Sequence, residues 1–433
     1  MIRHRLAKLM QTLTDQTVLA ELIQPALDAL GSVRTRAKAT PVLDMGQFVT
    51  LGVLRHLQGV DTLREQVQEL LHLDPSAATQ VPLARSTWSD ALASPRRLQV
   101  LTDIIPVLVD HAAGVLPDRL AAIPGLGTRE VYACDGSYEA PSAHFRACPP
   151  RAGGDHNPKG HGLLTFHNLR LGVPVDVQVE IRNRHEITVL RDYDQSPGAV
   201  TQRPNAVFVV DRAFIDAAFW DLKKAKLAIT MITRMKANLR LDSTEALEVA
   251  PDPANEGVLR DLRVRLSSSR QPWRLITYRT RRGRRVEFLT NDFDLLPGVI
   301  AFLYSRRWEE EKCFDTWKND FSQAKAWGKR LTAIDNQVRL AIITSLLIAL
   351  ILQHTLGTEG SRDIKSLRRQ ARRQAKAAHQ PDGTDRPRWT APVFRYTSKV
   401  SRQVLRFFKH CFLRLSTPAL YEQELRPLLM AYL

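Results

Sequence analysis

Four consecutive apolar residues, Val-Phe-Val-Val at 207–210, restrict the possible fold more than any other stretch of the chain. They lack the apolar–polar alternation of a strand with one face in water, and such a run is typical of a central strand covered on both faces. Residues 213–224 follow with a helical pattern, and residues 227–232 with a second apolar strand pattern. A strand, a helix and another strand in this order predict an α/β sheet.

Further strands are predicted upstream of this unit. Residues 131–134 and 163–169 are short apolar runs, and Val175, Val177 and Val179 alternate with polar residues. Period-two alternation indicates a strand with one buried face. Strands that are first adjacent and then alternate with a helix favour an α/β fold over separate all-helical or all-strand layers.

The segments on either side of these strands have other patterns. Before residue 117 the apolar residues recur mostly at helical spacing. Between 234 and 297 the chain is polar and strand-like, and residues 274–278 and 286–290 flank the basic sequence 281–285. This arrangement predicts a hairpin with a basic tip.

Two more helices are predicted after the hairpin, at 297–318 and 333–354. The chain therefore divides into five parts. These are a helical N-terminal domain at 1–118, for which DNA binding is expected from the basic residues described next, the first part of an α/β core at 119–233, a β-rich insertion at 234–297, the second part of the core at 298–357 and a basic helical C-terminal region at 358–433.

The charge of the chain favours a polyanionic partner. Among its 433 residues, 62 Lys and Arg face 45 Asp and Glu, which gives a formal net charge of +17. Basic helices in the N-terminal domain and the Lys- and Arg-rich run at 365–376 suit contacts with DNA phosphates, while solvated basic surfaces are the alternative for each.

Composition and motifs also exclude some classes of protein. The basic N-terminus leads into no apolar signal-peptide core, and the apolar run at 340–352 is shorter than the roughly 20 residues of a membrane span, so a cytoplasmic protein without a membrane partner is expected. The four cysteines are widely spread, which favours reduced thiols. No Gly-x4-Gly-Lys-Ser/Thr loop occurs in the sequence, so no nucleotide cofactor is expected.

Two aspartates stand where catalytic acids are commonly placed. Asp135 follows the predicted strand at 131–134, and Asp211 follows the run at 207–210. Strand ends of α/β sheets open onto the crevice in which ligands bind. The alternative is that each aspartate caps the turn after its strand, as Asp-Gly and helix-preceding Asp residues often do.

A third group of chemically active residues lies in the predicted helix at 297–318. Tyr304, Arg307, Glu311 and Lys318 fit the pattern Tyr-x2-Arg-x3-Glu-x6-Lys. At 3.6 residues per turn these offsets keep the four side chains on one face of a helix. A salt-bridged amphipathic helix is the alternative explanation for mixed charges at this spacing.

Together these residues resemble the DDE transposases of bacterial insertion sequences, specifically the insertion-sequence-four family. The similarity covers roughly residues 132–354 and rests on Asp135, Asp211 and the spaced signature from Tyr304 to Lys318. The resemblance implies a ribonuclease H-like mixed sheet on which Asp135, Asp211 and Glu311 converge, with a β-rich insertion before the glutamate. Asp211 and Glu311 are 100 positions apart, which agrees with such an insertion, since ordinary connections are much shorter.

The resemblance also implies the chemistry of the site. Asp135, Asp211 and Glu311 would be the catalytic residues and the ligands of two Mg²⁺ ions, with Mn²⁺ as a substitute. Carboxylate oxygens suit such hard cations, and two ions stabilise the attacking and leaving oxygens of phosphodiester displacement.

Four further residues are DNA-binding candidates by this resemblance. Arg307, Lys318 and Tyr304 would hold phosphates near the cleaved DNA end. Trp273, placed in the insertion, is the candidate to receive a flipped base, with packing in the hairpin core as the alternative.

The expected function is therefore that of a DNA transposase, which cleaves DNA at terminal inverted repeats and joins the 3′ ends to target DNA. Its partners would be the double-stranded DNA of the transposon ends and of the target. A homodimer on DNA and a location on the bacterial nucleoid are also implied. A ribonuclease H-like nuclease without strand transfer and a non-catalytic basic DNA-binding derivative are the alternatives.

Overall fold

The structure is a computed structural model that describes residues 18–33, 43–58, 85–139, 160–182, 184–280, 283–319, 321–351 and 353. The predicted C-terminal region at 358–433, with its basic run at 365–376, lies outside these residues. Arg281 and Arg282 of the predicted hairpin tip also lie outside them.

The described helices precede, interrupt and follow a set of strands. The helices are α1 (Val18–Ser32), α2 (Met45–Gln58), α3 (Arg85–Leu92), α4 (Pro95–Val115), α5 (Glu186–Tyr193), α6 (Ala217–Leu227), α7 (Pro297–Arg306), α8 (Trp308–Asn319) and α9 (Leu331–Ile351). The strands are β1 (Val131–Glu139), β2 (His161–Asn168), β3 (Val173–Glu180), β4 (Val207–Val210), β5 (Thr230–Arg234), β6 (Leu241–Ala246), β7 (Val258–Leu266), β8 (Pro272–Arg279) and β9 (Arg285–Thr290). The protein is thus a mixed α/β structure.

All of these strands belong to one mixed sheet in the order β3-β2-β1-β4-β5-β9-β8-β7-β6. The neighbours β1, β4 and β5 run parallel, and every other neighbouring pair is antiparallel. The hairpin prediction matches the pairing of β8 with β9. Because β9 also pairs with β5, the segment predicted to be a β-rich insertion continues the sheet beyond β5.

The apolar run at β4 lies in the middle of the parallel part of the sheet, as its sequence predicts. Phe208 and Val210 belong to one apolar core, and Val207 and Val209 belong to another. Side chains of a strand alternate between the two faces of the sheet. Each face of the sheet is therefore covered by its own apolar layer, which explains why β4 has no polar position.

Helices α4, α7 and α9 supply much of the two layers. On α4, Ile104 and Leu108 face the first core, and on α7, Val299 and Leu303 face the second. Helix α4 begins at a Ser94 N-cap, whose side chain accepts a hydrogen bond from the Arg97 backbone N–H. Buried stripes at helical spacing fix these helices against the sheet.

Two of the described helices, α4 and α9, are long and apolar enough to cross a membrane by length and composition. In α9 the apolar window is 78% buried inside the protein, which is typical of a core helix. The buried helix expected around residues 340–352 therefore corresponds to α9.

Two predicted boundaries shift for local reasons. The helix predicted at 213–224 is a 3-10 turn at Arg212–Phe214 followed by α6, whose N-cap is Asp216, an acceptor from the Phe219 N–H at 3.1 Å. Helix α6 ends at Ala228 in the left-handed conformation, with φ at 55°. The strand predicted at 227–232 therefore begins only at Thr230.

Candidate active site

The parallel pairing of β1 with β4 brings the two predicted aspartates side by side. The register joins Val131 to Val207 and continues to Cys134 opposite Val210. Asp135 directly follows Cys134, and Asp211 directly follows Val210. Because parallel neighbours point their carboxyl ends to the same sheet edge, both carboxylates lie at that edge.

The expectation that β1 ends before Asp135 is wrong. Strand β1 continues to Glu139 because residues 135–139 pair with β2, with Asp135 opposite Thr165. Only the parallel pairing with β4 ends at Cys134. Asp135 therefore lies on a strand with one free side, next to Asp211.

Arg307 connects the first aspartate to the predicted third acid. Its guanidinium donates hydrogen bonds to Asp135 Oδ2 and, at 2.7 Å, to Glu311 Oε1. The Arg307 side chain is only 10% exposed, whereas that of Glu311 is 35% exposed. Acids from β1 and α8 thus share one cation at the sheet edge.

The charged groups of the site shift each other's pKa values. Burial raises the pKa of Asp135, the Arg307 cation and the Gly136 N–H work against this, and the nearby charges of Asp211 and Glu311 raise the pKa further. Burial disfavours the Arg307 cation, but Asp135, Tyr304 and Glu311 raise its pKa above the ordinary value. The site is therefore an electrostatically coupled group with more acids than cations.

The prediction of one continuous helix at 297–318 is wrong, because the helix is interrupted at Arg307. Helix α7 ends at Arg306 and α8 begins at Trp308. Arg307 keeps helical dihedral angles, but its N–H bonds to Tyr304 O at 3.1 Å, three residues back. A tighter turn therefore interrupts the helix at the residue that contacts Asp135, while Tyr304, Arg307 and Lys318 still reach toward the sheet.

The remaining members of the spaced signature contact the same region. Lys318 donates to Ser137 Oγ on β1, two residues beyond Asp135. The Tyr304 ring is buried, with its centroid 5.1 Å from that of Phe288 and 5.9 Å from Arg307 Cζ. Burial raises the pKa of Tyr304, so its hydroxyl stays protonated and can donate a hydrogen bond.

A comparison with protein families bears on this arrangement. Residues 142–347 match the family model of the transposase DDE domain. This range is just under half of the chain; it contains Asp211 and the segment from Tyr304 to Lys318, and it begins after Asp135. The match supports a DDE transposase.

Two other comparisons add less. A cryo-EM structure of piggyBac transposase, in a synaptic complex with hairpin DNA, aligns with a TM-score of 0.40 at 9% sequence identity. The alignment covers 99% of this chain and 85% of that chain. A TM-score of this size does not establish a common fold. A search of curated proteins found no match.

Trp273 lies on β8, four positions from β1 in the order of the sheet. It is 1% exposed, and its Nε1 donates to Asp221 Oδ1 at 3.1 Å and to Ser269 Oγ at 3.0 Å. Asp221 belongs to α6, so the hydrogen bond of the indole connects β8 to α6. The structure therefore agrees with the packing alternative, because the buried ring presents no free face to a base.

One acid at the site has no sequence signal that singles it out. Glu186, the first residue of α5, lies against Gly136, where a Cβ atom would stand 2.8 Å from its Cδ. It follows the end of β3 by six residues and belongs to no spaced motif. The return of the chain from β3 places its side chain against Gly136.

The side chains as they stand do not form a metal cage. Among the described residues, no three Asp, Glu, His or Cys side chains are grouped so that they could hold a metal ion. The Arg307 guanidinium lies between Asp135 and Glu311 instead. The gap between these two acids is thus taken by an internal cation.

Proposed function

We propose that the chain is a DNA transposase that cleaves DNA at the terminal inverted repeats of a transposable element and joins the 3′ ends to target DNA. The observation that carries this proposal is the contact of Arg307 with both Asp135 and Glu311. Asp135 and Asp211 directly follow the paired residues Cys134 and Val210, so both aspartates lie at the same sheet edge. The match to the transposase DDE domain supports the same function.

The finer family and fold assignment belongs to the same proposal. We assign the chain to the insertion-sequence-four family on the Tyr-x2-Arg-x3-Glu-x6-Lys pattern. The half-sheet β3-β2-β1-β4-β5 would be its ribonuclease H-like core. Support comes from the parallel trio β1, β4 and β5 with an antiparallel pair on one side.

The donor chemistry of the three acids fits divalent metal ions. Asp135, Asp211 and Glu311 offer only carboxylate oxygens, which Mg²⁺ and Mn²⁺ accept. The place between Asp135 and Glu311 already holds a positive group, the Arg307 guanidinium. Two bound ions would supply stabilisation of the attacking and leaving oxygens in phosphodiester displacement.

The cationic residues of the site would act on DNA phosphates. Arg307 is held by Asp135 and Glu311, so it becomes available to a phosphate when these carboxylates take another partner. Its planar guanidinium binds phosphate oxygens in pairs, whereas Lys318 acts as a point charge. The protonated Tyr304 hydroxyl adds one donor on the same side.

A double-stranded DNA partner also suits the surface of the insertion. Arg279, Arg284 and Arg285 are exposed at the β8–β9 hairpin, and Arg263 and Arg265 are exposed on β7. Exposed arginines in a chain with a net charge of +17 favour contacts with phosphates. A homodimer that holds two DNA ends together completes the proposal, with the protein acting on the bacterial nucleoid in the cytoplasm.

The first test compares cleavage by the wild type and by Asp211→Ala. The full chain is incubated with DNA that carries the element's own ends and Mg²⁺. Asp211→Ala should abolish strand cleavage and keep end binding, because the lost group acts on the reacting phosphate. Asp192→Asn is the matched control, since it removes a 58% exposed acid on α5. Full cleavage by Asp211→Ala would refute the assignment.

The second test separates transposition from simple cleavage. Precut ends with free 3′-hydroxyls are incubated with a supercoiled plasmid. A transposase joins these ends to the plasmid. Cleavage of intact ends without any joined product would favour the nuclease alternative, and salt-sensitive binding without either reaction would favour the non-catalytic one.

A further inference from the structure

One face of β1 carries Asp135, Ser137 and Glu139, because side chains two positions apart in a strand point to the same side. The first two of these residues contact the two ends of α8. Asp135 accepts a hydrogen bond from Arg307, which directly precedes the helix. Ser137 accepts a hydrogen bond from Lys318 in the last turn of the helix. This face of β1 therefore lies along α8.

The third residue of this face, Glu139, contacts the chain just beyond α8. Gln323 Nε2 donates to Glu139 Oε2 at 2.8 Å, and both residues are buried. His161 stands opposite Glu139 in the register of β1 with β2, and its Nε2 lies 3.5 Å from the same oxygen. The Glu139 carboxylate is thus held between β2 and the segment that follows α8.

The position of Gln323 is fixed by the core helix α9. Gln337 of α9 is 0% exposed, and its Nε2 donates to Ser322 O at 3.2 Å and to Lys325 O at 3.0 Å. These two carbonyl groups lie on either side of Gln323 in the chain. The hydrogen bond from Gln323 to Glu139 therefore connects β1 to a segment that α9 already holds.

The contacts with α8 matter because β1 loses one strand neighbour at the site. The pairing of β1 with β4 ends at Cys134, and from Asp135 to Glu139 the strand pairs with β2. Helix α8 packs against β1. Asp135 belongs to the strand and Glu311 to the helix, so the distance between these two acids depends on how α8 is held along β1.

We propose that Glu139 is a positioning residue, which holds α8 along β1 through its hydrogen bond to Gln323. It thereby keeps Asp135 and Glu311 at the separation that Arg307 spans. The row of contacts along one face of β1 carries this inference. Its importance for the reaction rests on the proposed function, since that function needs both acids at one site.

A role in global stability alone is the competing explanation. A buried donor or acceptor that loses its partner costs free energy wherever it lies. If Glu139 and Gln323 only satisfy each other inside the core, loss of their bond should affect all elements of the fold alike. A positioning role predicts that the loss loosens α8 more than elements that do not contact this segment.

Hydrogen exchange of the full chain without DNA or metal distinguishes the two explanations, because backbone amides report the local opening of each element. In Glu139→Leu and in Gln323→Leu, the amides of α8 should exchange about tenfold faster than in the wild type, the effect of one lost hydrogen bond to a charged group. The amides of α6 should keep their rate. Glu139→Gln retains an acceptor oxygen for Gln323, so it should exchange as the wild type does.

Trp273→Phe is the matched control, because it removes a buried hydrogen-bond donor between β8 and α6. It should speed exchange in α6 and leave α8 unchanged. Equal acceleration of α6 and α8 by Glu139→Leu would assign Glu139 to global stability and overturn the proposal. Unchanged exchange of α8 would overturn it as well. If Glu139→Leu does not fold, the same two criteria apply to Gln323→Leu.

Cleavage of DNA that carries the element's own ends, with Mg²⁺ and saturating DNA, separates this inference from the proposed function. Glu139→Leu should cleave up to about 100-fold more slowly, since small displacements of reacting groups have effects of this size, and Glu139→Gln should restore the rate. Wild-type cleavage by Glu139→Leu with faster exchange of α8 would overturn the role in the reaction. Absence of cleavage by the wild type would overturn the proposed function, and the exchange rates would still decide whether Glu139 holds α8.

Discussion

Two arginines in this molecule contact carboxylates in contrasting surroundings. In the insertion, Arg274 contacts both oxygens of Asp261, at 2.9 and 2.6 Å, and donates to Leu295 O at 2.6 Å. The two side chains are 7% and 0% exposed. At the candidate active site, Arg307 contacts Asp135 and Glu311, the latter 35% exposed.

The difference lies in the balance of charge. Arg274 and Asp261 neutralise each other one to one, and their polar atoms are satisfied inside the sheet. Arg307 stands among several acids, and the charges of Asp211 and Glu311 both raise the pKa of Asp135. A balanced pair fixes a structure, whereas an unbalanced and partly open group offers a place for another cation.

The largest expected effect is on the balanced pair. Arg274→Ala leaves the Asp261 carboxylate buried without its cation, so the free energy of unfolding should fall by about 3–5 kcal/mol. Urea denaturation measures this change. Arg263→Ala is the control on the neighbouring strand β7, because its pair with Glu245 is 3.6 Å long and both side chains are exposed; an effect below about 1 kcal/mol is expected there. If both substitutions lowered the free energy of unfolding equally, the buried Arg274–Asp261 pair would stabilise the protein no more than an exposed pair does.

The excess of acids near Arg307 should make the stability of the protein depend on pH. The pKa of Glu186 is raised from 4.5 to about 7, so the folded state binds this proton more tightly than the unfolded state does. The free energy of unfolding of the wild type therefore falls as the pH rises from 4.5 to about 7. Glu186→Gln has no titrating group at this position, so this contribution to the fall is absent.

In metal-free protein, the unfolding free energy of Glu186→Gln should exceed that of the wild type by about 1–3 kcal/mol above about pH 8. The difference should vanish near about pH 4, below the unfolded value. Urea denaturation across this pH range measures it. A difference that is constant with pH would show that the charge of Glu186 is not its cause.

Arg307 and Arg274 should also differ in their response to metal. Removal of Arg307 frees Asp135 and Glu311, so Arg307→Ala should bind Mn²⁺ about tenfold more tightly than the wild type, or about 1.4 kcal/mol. Calorimetry without DNA measures this. Arg274→Ala should show no such gain, since the Asp261 side chain is 0% exposed and out of reach of a solvated ion. Weaker Mn²⁺ binding by Arg307→Ala would mean that the guanidinium does not compete with the ion.

The smallest effect is expected at Trp273. Trp273→Phe removes one indole N–H, which is shared between Asp221 and Ser269, and keeps most of the buried ring. The unfolding free energy should fall by about 1 kcal/mol. The affinity for DNA ends, measured by fluorescence anisotropy, should stay unchanged. A large loss of affinity with unchanged stability would restore the base-receiving role.

Local patterns predicted several parts of the fold. The run at 207–210 became the buried strand β4, and the two strand patterns on either side of the basic sequence became the paired strands β8 and β9. Such patterns work because the strand period and the apolar run depend on neighbours in sequence. The interruption at Arg307 and the extension of β1 past Asp135 were missed, since both depend on partners far along the chain.

The residues of the candidate site also divide into those that the sequence indicates and those that only the tertiary structure places there. The positions of Asp135 and Asp211 after apolar runs and the spacing of Arg307 and Glu311 are visible in the sequence. The approach of Glu186 to Gly136 is not visible, because no local pattern reports what faces a glycine. The burial of Trp273 against Asp221 also depends on packing between the insertion and α6.

The amino-acid sequence alone determined the central strand, the two aspartates that follow apolar runs and the charged helix face, because these follow from short-range periodicity. Only the tertiary structure decided that β9 continues the sheet beyond β5, that Arg307 joins Asp135 to Glu311 and that Glu186 lies against Gly136. These features need segments distant in sequence to pack together, and the free energy of that packing belongs to the whole fold.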